Sequence, residues 1–283
     1  PHTLGLKQIE EAREAAYALA KAMHVVGLMN IQFAFKDDEL YVLEVNPRAS
    51  RTVPFVAKAI GRPLAKYAAR IMVGETLEAI GFTEEVHLNF WAVKESVFPF
   101  ARFLGAPIML SPEMRSTGEV MGLDESLGLA YAKTQMAAKP ALPTKGTIFL
   151  SVRDSDKPEA LELAHEFIKL GFTFVATPGT AKYLEDNGIE AKNIFRVSDG
   201  ARPNVIDLIK NDQIQLVVNV PSGTIPRIDD NKIRAEAILR GVCVKPTLAG
   251  ARAALEGIKA LKERPLDVCS LQEYGKKLLA VKR

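Results

Sequence analysis

Thr147-Ile148-Phe149-Leu150-Ser151-Val152-Arg153-Asp154-Ser155-Asp156-Lys157 is the stretch on which the fold reading turns. An apolar, β-branched run over Thr147–Val152 gives way to short polar residues and then to a helical stretch at 158–170. The unit recurs down the chain. Strand-like runs follow at Thr173–Thr177, Asn193–Val197, Leu216–Val220 and Val242–Lys245, with helical stretches at 180–187, 203–211, 229–240 and 248–263. Such alternation predicts a parallel sheet covered by helices on both faces. Ligands of these sheets sit at the carboxyl ends of the strands, so a site is expected in the residues just past them.

Two such segments carry suitable chemistry. Ser151–Lys157 follows the first strand, and Ala176-Thr177-Pro178-Gly179-Thr180-Ala181 follows the second. The latter sets two hydroxyls and a glycine at a helix N-terminus, where free N–H groups and the helix dipole favour phosphate. Thr180 reads equally well as a plain N-cap. Lys157, Arg196 and Asn219 fall at or near strand ends, which predicts a cationic, anion-binding pocket along one edge of the sheet.

Upstream, Ala137-Ala138-Lys139-Pro140-Ala141-Leu142-Pro143-Thr144-Lys145-Gly146 has the small residues and prolines of a linker, dividing residues 1–140 from 145–283. Before it the rhythm differs. Ile9, Ala12, Ala16, Leu19 and Met23 share one face of a helix expected over Lys7–Val25. Strands at Met29–Phe35 and Leu40–Val45, joined by Lys36-Asp37-Asp38-Glu39, predict an antiparallel hairpin. A helix over Val56–Val73 comes next; thereafter Pro99, Pro107 and Pro112 break the pattern. A chain that starts at Pro1 directly before a helix is expected to be part of a longer polypeptide.

The hairpin carries a second constellation. Glu44 and Asn46, two apart on one strand, share a face, and antiparallel pairing brings Gln32 alongside. One carboxylate and two amide oxygens form the hard, all-oxygen set that Mg²⁺ takes together with substrate phosphates. Arg48 and Arg51 follow, with guanidinium forks suited to phosphate oxygens. Metal beside arginine is the machinery of phosphoryl transfer. By spacing alone, the same residues also read as an ordinary exposed strand face.

Glu44-Val45-Asn46-Pro47-Arg48-Ala49-Ser50-Arg51-Thr52-Val53-Pro54-Phe55, with Asn30-Ile31-Gln32-Phe33 upstream, resembles the metal-binding end of the ATP-grasp fold. More narrowly, it resembles the second half of the carbamoyl-phosphate synthase large chains. Val93-Lys94-Glu95-Ser96-Val97-Phe98-Pro99-Phe100 and Pro112-Glu113-Met114-Arg115-Ser116-Thr117-Gly118-Glu119-Val120-Met121-Gly122 extend the likeness. The resemblance implies that Gln32, Glu44 and Asn46 hold Mg²⁺ or Mn²⁺ bridging ATP phosphates, and that Arg48 and Arg51 assist phosphorylation of carbamate. In that family carbamoyl phosphate is made from bicarbonate, glutamine-derived ammonia and ATP, for pyrimidine and arginine biosynthesis. The implied partners are the remainder of the large chain and a small glutaminase subunit. Glu95 matches a position that contacts ornithine in members activated by that amino acid.

Residues 145–265 are similar to the methylglyoxal-synthase-like, Rossmann-like fold. The fold implied for the whole is thus the C-terminal part of an ATP-grasp α+β module followed by a parallel-sheet α/β domain. Methylglyoxal synthase itself needs an Asp where this chain reads Asn219-Val220-Pro221-Ser222-Gly223-Thr224, and cyclohydrolase loops are not recognisable. The regulatory use remains, with UMP or IMP as allosteric ligand and Lys157, Thr177, Thr180, Arg196 and Asn219 at the implied contacts. Arg196 stands for a Lys, Pro221 for a Thr and Pro246 for an Asp of the family pattern. A stand-alone nucleotide-binding module is the contrasting reading. With no glycine-rich phosphate lid or adenine-binding segment recognisable, these 283 residues alone are expected not to turn over ATP.

Composition is consistent with this. With 37 basic against 34 acidic residues there is no electrostatic footprint for nucleic acid or a membrane surface. Two cysteines make no disulfide framework, which fits a cytoplasmic setting. No apolar run approaches the roughly 20 residues of a membrane span. Cys243 reads as a small core residue, and His2, His24, His87 and His165 lack metal-ligand spacing.

Overall fold

A computed structural model describes residues 2–98, 100, 118–221 and 224–280. Pro99, Pro107 and Pro112, most of the segment ending at Gly122, and the pair Ser222-Gly223 lie outside the described residues.

The expected parallel sheet is present. Strands β5 (Gly146–Ser151), β6 (Phe172–Ala176), β7 (Ala191–Asn193), β8 (Leu216–Asn219) and β9 (Cys243–Lys245) lie in the order β7-β6-β5-β8-β9, all parallel. Helices α6 (Lys157–Lys169), α7 (Pro178–Asp186), α8 (Val205–Lys210), α9 (Thr224–Leu239) and α10 (Leu248–Glu263) connect them. Alternate residues of β5 serve opposite faces: Ile148 and Leu150 join Phe167, Phe174 and Ile258, while Phe149 joins Val217, Ile209 and Ile233. Each fully buried Phe or Ile contributes on the order of 2–3 kcal/mol by leaving water. Burial also pushes the Cys243 thiol up, keeping it protonated, as a core residue should be.

Strand β7 ends earlier than its apolar pattern suggests. Phe195 makes only an isolated parallel bridge to Asn204, and Val197–Asp199 turn into a 3₁₀ helix. The Arg196 N–H donates to Asp199 Oδ2 at 3.0 Å, closing that turn against continued pairing.

Further upstream, α1 (Leu6–Ala22) precedes the hairpin of β1 (Asn30–Lys36) and β2 (Glu39–Asn46). The helix expected over Val56–Val73 is two, α2 (Thr52–Ala59) and α3 (Leu64–Met72). Gly61 takes φ +63° and Pro63 has no N–H to donate, so the helical ladder breaks between them. A short α4 spans Leu77–Ile80. Where no regular pattern is legible, β3 (Trp91–Val97) and β4 (Gly118–Asp124) form a second antiparallel hairpin, followed by α5 (Leu127–Ala138). Helix α5 lies so close on β4 that a Cβ on Gly122 would fall 2.0 Å from the Ala130 carbonyl oxygen. Helix α11 (Leu271–Ala280) ends the described chain.

Packing divides the chain at a different place from the linker. One compact unit holds Pro1–Asn89 with Cys269–Arg283, the other Phe90–Val268. The β3–β4 hairpin and α5 are thereby packed with the parallel sheet, and residues 137–146 lie inside that unit. Asp124 shows how it is held: burial pushes its carboxyl up, but the Ser126 N–H, Lys133 at 2.9 Å and Arg264 outweigh this and keep it below its ordinary value.

Candidate functional site: a strand-end cleft and a hairpin carboxylate

From β5 the chain builds outward through β6 to β7, then returns to the other side of β5 for β8 and β9. The crevice between β5 and β8 is therefore the switch point at which parallel sheets bind ligands. Ser151 and Asn219 are register partners at the carboxyl ends of these two strands. A cleft of about 410 Å³ opens there, lined by Ser151–Asp154 after β5, Thr177 after β6, Phe195–Ser198 after β7 and Asn219–Pro221 after β8. That volume suits a small organic ligand.

Of the residues expected at this edge, Thr177, Thr180 and Lys157 gather around the start of α7. Thr177, not Thr180, is the N-cap, and its side chain caps no backbone N–H. Its hydroxyl instead lies 3.4 Å from Ser151 Oγ and 3.3 Å from Thr180 Oγ1. Thr180 is buried in the first turn. Pro178 at the first helical position fits because that N–H would have no intrahelical partner. Lys157 places its ammonium against this turn, 3.7 Å from where a Cβ on Gly179 would stand, and pairs with Asp154 at 2.8 Å. That pair holds the Asp154 carboxyl below its ordinary value, yet Asp154 is exposed and such a pair is readily exchanged for another anion. Arg196 lines the cleft from an exposed position, and Asn219 is buried at its floor. Lys157 lies beside the cleft and is not part of its lining.

On the hairpin, Gln32 stands opposite Glu44 and Asn30 opposite Asn46. A β-bulge after Gln32 leaves Leu43 out of register, so Phe33 pairs with Val42. Glu44 Oε1 accepts from the Gln32 amide at 2.7 Å and from the Asn46 amide at 2.9 Å, joining the three expected residues through one oxygen. The Arg48 guanidinium reaches the Ala49 carbonyl at 2.9 Å and lies 3.4 Å from Asn46 Oδ1. Arg51 is the exposed N-cap of α2. Among the described residues no three His, Cys, Asp or Glu cluster as metal ligands, so this set offers one carboxylate and two amides.

Glu95 belongs to neither place. On β3 its carboxylate accepts from Gln135 and, at 3.1 Å, from Thr134 on α5. Gln135 Oε1 in turn accepts from the buried Lys245 ammonium at 2.6 Å. Three features escape a reading of strand ends alone: the exposed ring of Phe195 and Asp229 in the cleft lining, and Asp230 on α9, which holds Asn219. For the acidic pair, an Asp four residues before Arg234 was the available signal, and it also describes any solvated helix.

Residues 1–80 match the family described as "Carbamoyl-phosphate synthase L chain, ATP binding domain", and residues 159–244 the "MGS-like domain". A carbamoyl phosphate synthase large chain of Archaeoglobus fulgidus is 53% identical over 257 residues, 90% of this chain and 24% of that one. One of Gemmatimonas aurantiaca is 47% identical over 280 residues, 99% of this chain and 26% of that one. Among solved structures, a methylglyoxal synthase of Elizabethkingia anophelis is 19% identical with a TM-score of 0.35, over 40% of this chain and 79% of that one. No described helix is long and apolar enough to cross a membrane. With both domain families in the expected order and about half of all residues shared along nearly its whole length, the chain belongs to the family of carbamoyl phosphate synthase large chains, spanning about a quarter of its relatives' length.

Proposed function

We propose that this chain is the C-terminal part of a carbamoyl phosphate synthase large chain, carrying the metal end of the carbamate-phosphorylating site and an allosteric nucleotide pocket. The observation that carries the first half is the Glu44 carboxylate drawing Gln32 and Asn46 together at one end of the hairpin. One carboxylate with two amide oxygens suits Mg²⁺ or Mn²⁺ in a shell completed by ATP phosphates. Bound there, the ion would neutralise charge on the transferring phosphoryl group. Glu44 and the two amides orient that site, and Arg48 and Arg51 supply fixed positive charge to the phosphate oxygens. The substrates on this reading are ATP and carbamate, and the partners are the rest of the large chain and the glutaminase subunit. A coupled assay on the 283-residue chain with Mg²⁺ or Mn²⁺ is expected to show no ATP hydrolysis; metal-dependent turnover would overturn the division of labour proposed.

The second half rests on the cleft. Hydroxyls of Thr177 and Thr180, the first turn of α7, Lys157 and Arg196 make a phosphate-binding edge, and Asn219 with the Phe195 ring offers the remainder of a nucleotide its contacts. UMP or IMP is the ligand class proposed, as regulator of pyrimidine and arginine biosynthesis. Calorimetry with each is expected to give one site per chain, weakened about tenfold in Thr177→Ala, the cost of one lost hydrogen bond to a charged group. Absence of binding to both would remove the regulatory assignment. A stand-alone nucleotide sensor is the second reading, favoured by the cleft's lying wholly within one compact unit. For Glu95, an ornithine-type effector would have to displace the hydrogen bonds from Gln135 and Thr134.

A further inference from the structure

Asn219, in the lining of the cleft, and Asp230, which does not itself line it, are both 5% exposed. The Asn219 Nδ2 donates to Asp230 Oδ1 at 2.8 Å. A carboxylate can only accept, so this bond dictates which end of the amide turns inward. Asp230 is itself held: its Oδ2 accepts from the Arg234 guanidinium one helical turn further along α9. Arg234 Nε is sealed from water and has no partner among the described residues, which leaves the guanidinium committed to Asp230. Asn219 Oδ1, in contrast, makes no hydrogen bond among the described residues and is not sealed off, so it is the oxygen that Asn219 offers to the cleft. Asp229, one residue before Asp230, also lines the cleft and accepts from the Ser198 N–H at 3.0 Å. The β8 side of the cleft is therefore a side of acceptors, facing the Thr177 hydroxyl and the Arg196 guanidinium.

We propose that Asp230 is a positioning residue which locks Asn219 as an acceptor, so that this side of the cleft selects a hydroxyl of the ligand and excludes a phosphate oxygen. The inference rests on reading the cleft as a nucleotide pocket. It gives that pocket a polarity: phosphate at the α7 end, sugar hydroxyls against Asn219. A phosphate oxygen here would face lone pairs and the Asp229 carboxylate, whereas a hydroxyl supplies the one donor that is missing. A site built to bond a hydroxyl rejects the analogue that lacks it, because a buried acceptor is then left unsatisfied.

Calorimetry on the intact chain with UMP, IMP and their 2′-deoxy and 3′-deoxy counterparts tests this. Wild type is expected to bind at least one of the deoxy forms about tenfold or more weakly than the ribonucleotide. In Asp230→Asn the new amide can donate or accept, Asn219 is free to turn, and the discrimination should fall to within about twofold. Equal wild-type affinity for ribo- and deoxynucleotides would overturn the proposal without reference to any variant. So would undiminished discrimination in an Asp230→Asn protein whose circular dichroism is native. Failure of all the nucleotides to bind is a different result, and sinks the nucleotide reading of the cleft itself.

Discussion

In Phe90–Val268, Phe149, Phe167, Leu184 and Ile148 are each under 2% exposed, enclosed between the parallel sheet and its helices. In Pro1–Asn89 with Cys269–Arg283, the buried hydrophobic residues among those described are Ala59, Ala68 and Tyr274, while Leu43 is 63% and Val73 82% exposed. The two candidate sites inherit this difference. The strand-end cleft stands on the ends of β5, β6, β7 and β8 of the packed sheet. The Gln32–Glu44–Asn46 set stands on a two-stranded hairpin, an element that is marginal in water by itself. A site on a packed sheet can work within its own unit. A site on an exposed hairpin needs a covering surface, which we attribute to the rest of the large chain.

The comparison breaks most sharply under core deletion. Phe167→Ala should destabilise the sheet unit by about 3–5 kcal/mol, read as a lower urea midpoint by circular dichroism. A smaller effect is expected from Asp124→Asn, which leaves Lys133 and Arg264 without their carboxylate and should cost about 1–3 kcal/mol at neutral pH. Acid provides the wild-type counterpart. Because the folded-state pKa of Asp124 is lowered, its contribution is complete above the unfolded value near 4 and is lost as pH falls through the lower folded value. Urea midpoints of wild type and Asp124→Asn should therefore begin to approach each other as pH falls below about 4 and converge only below the lowered folded-state value. Leu43→Ala, on the exposed face of the hairpin, should change stability by no more than about 0.5 kcal/mol. A large loss there would mean that the hairpin face is covered within this chain.

The sheet unit was largely legible because its signals are local. Runs such as Ile148–Leu150 and Leu216–Val218 are continuously apolar, as strands buried on both faces must be, and helix 248–263 begins and ends where its pattern does. Pairing of Gln32 with Glu44 followed from the hairpin's length, although the bulge at Leu43 did not. What stayed hidden depends on tertiary context. The apolar pattern runs straight across Gly61-Arg62-Pro63, and only the backbone at those residues breaks the helix. Strands β3 and β4 alternate only partly: on β3 the charged Glu95 shares a face with Val93 and Val97 and turns its carboxylate to Thr134 and Gln135 of α5. Thr180 carried both a cap and a ligand reading; α7 starts at Pro178 with Thr177 as its N-cap, which removed the first, and Thr180 itself is buried outside the cleft lining. Asp230 became visible only once β8 had brought Asn219 within 2.8 Å of it.

Hydrogen exchange followed by mass spectrometry, on the intact chain with and without UMP or IMP, tests the contrast between the two units most directly. Nucleotide is expected to slow exchange in 151–157, 177–181, 195–199, 219–221 and 228–234, and to leave 30–51 unchanged. Protection of 30–51 with none around Thr177 and Asn219 would contradict the account.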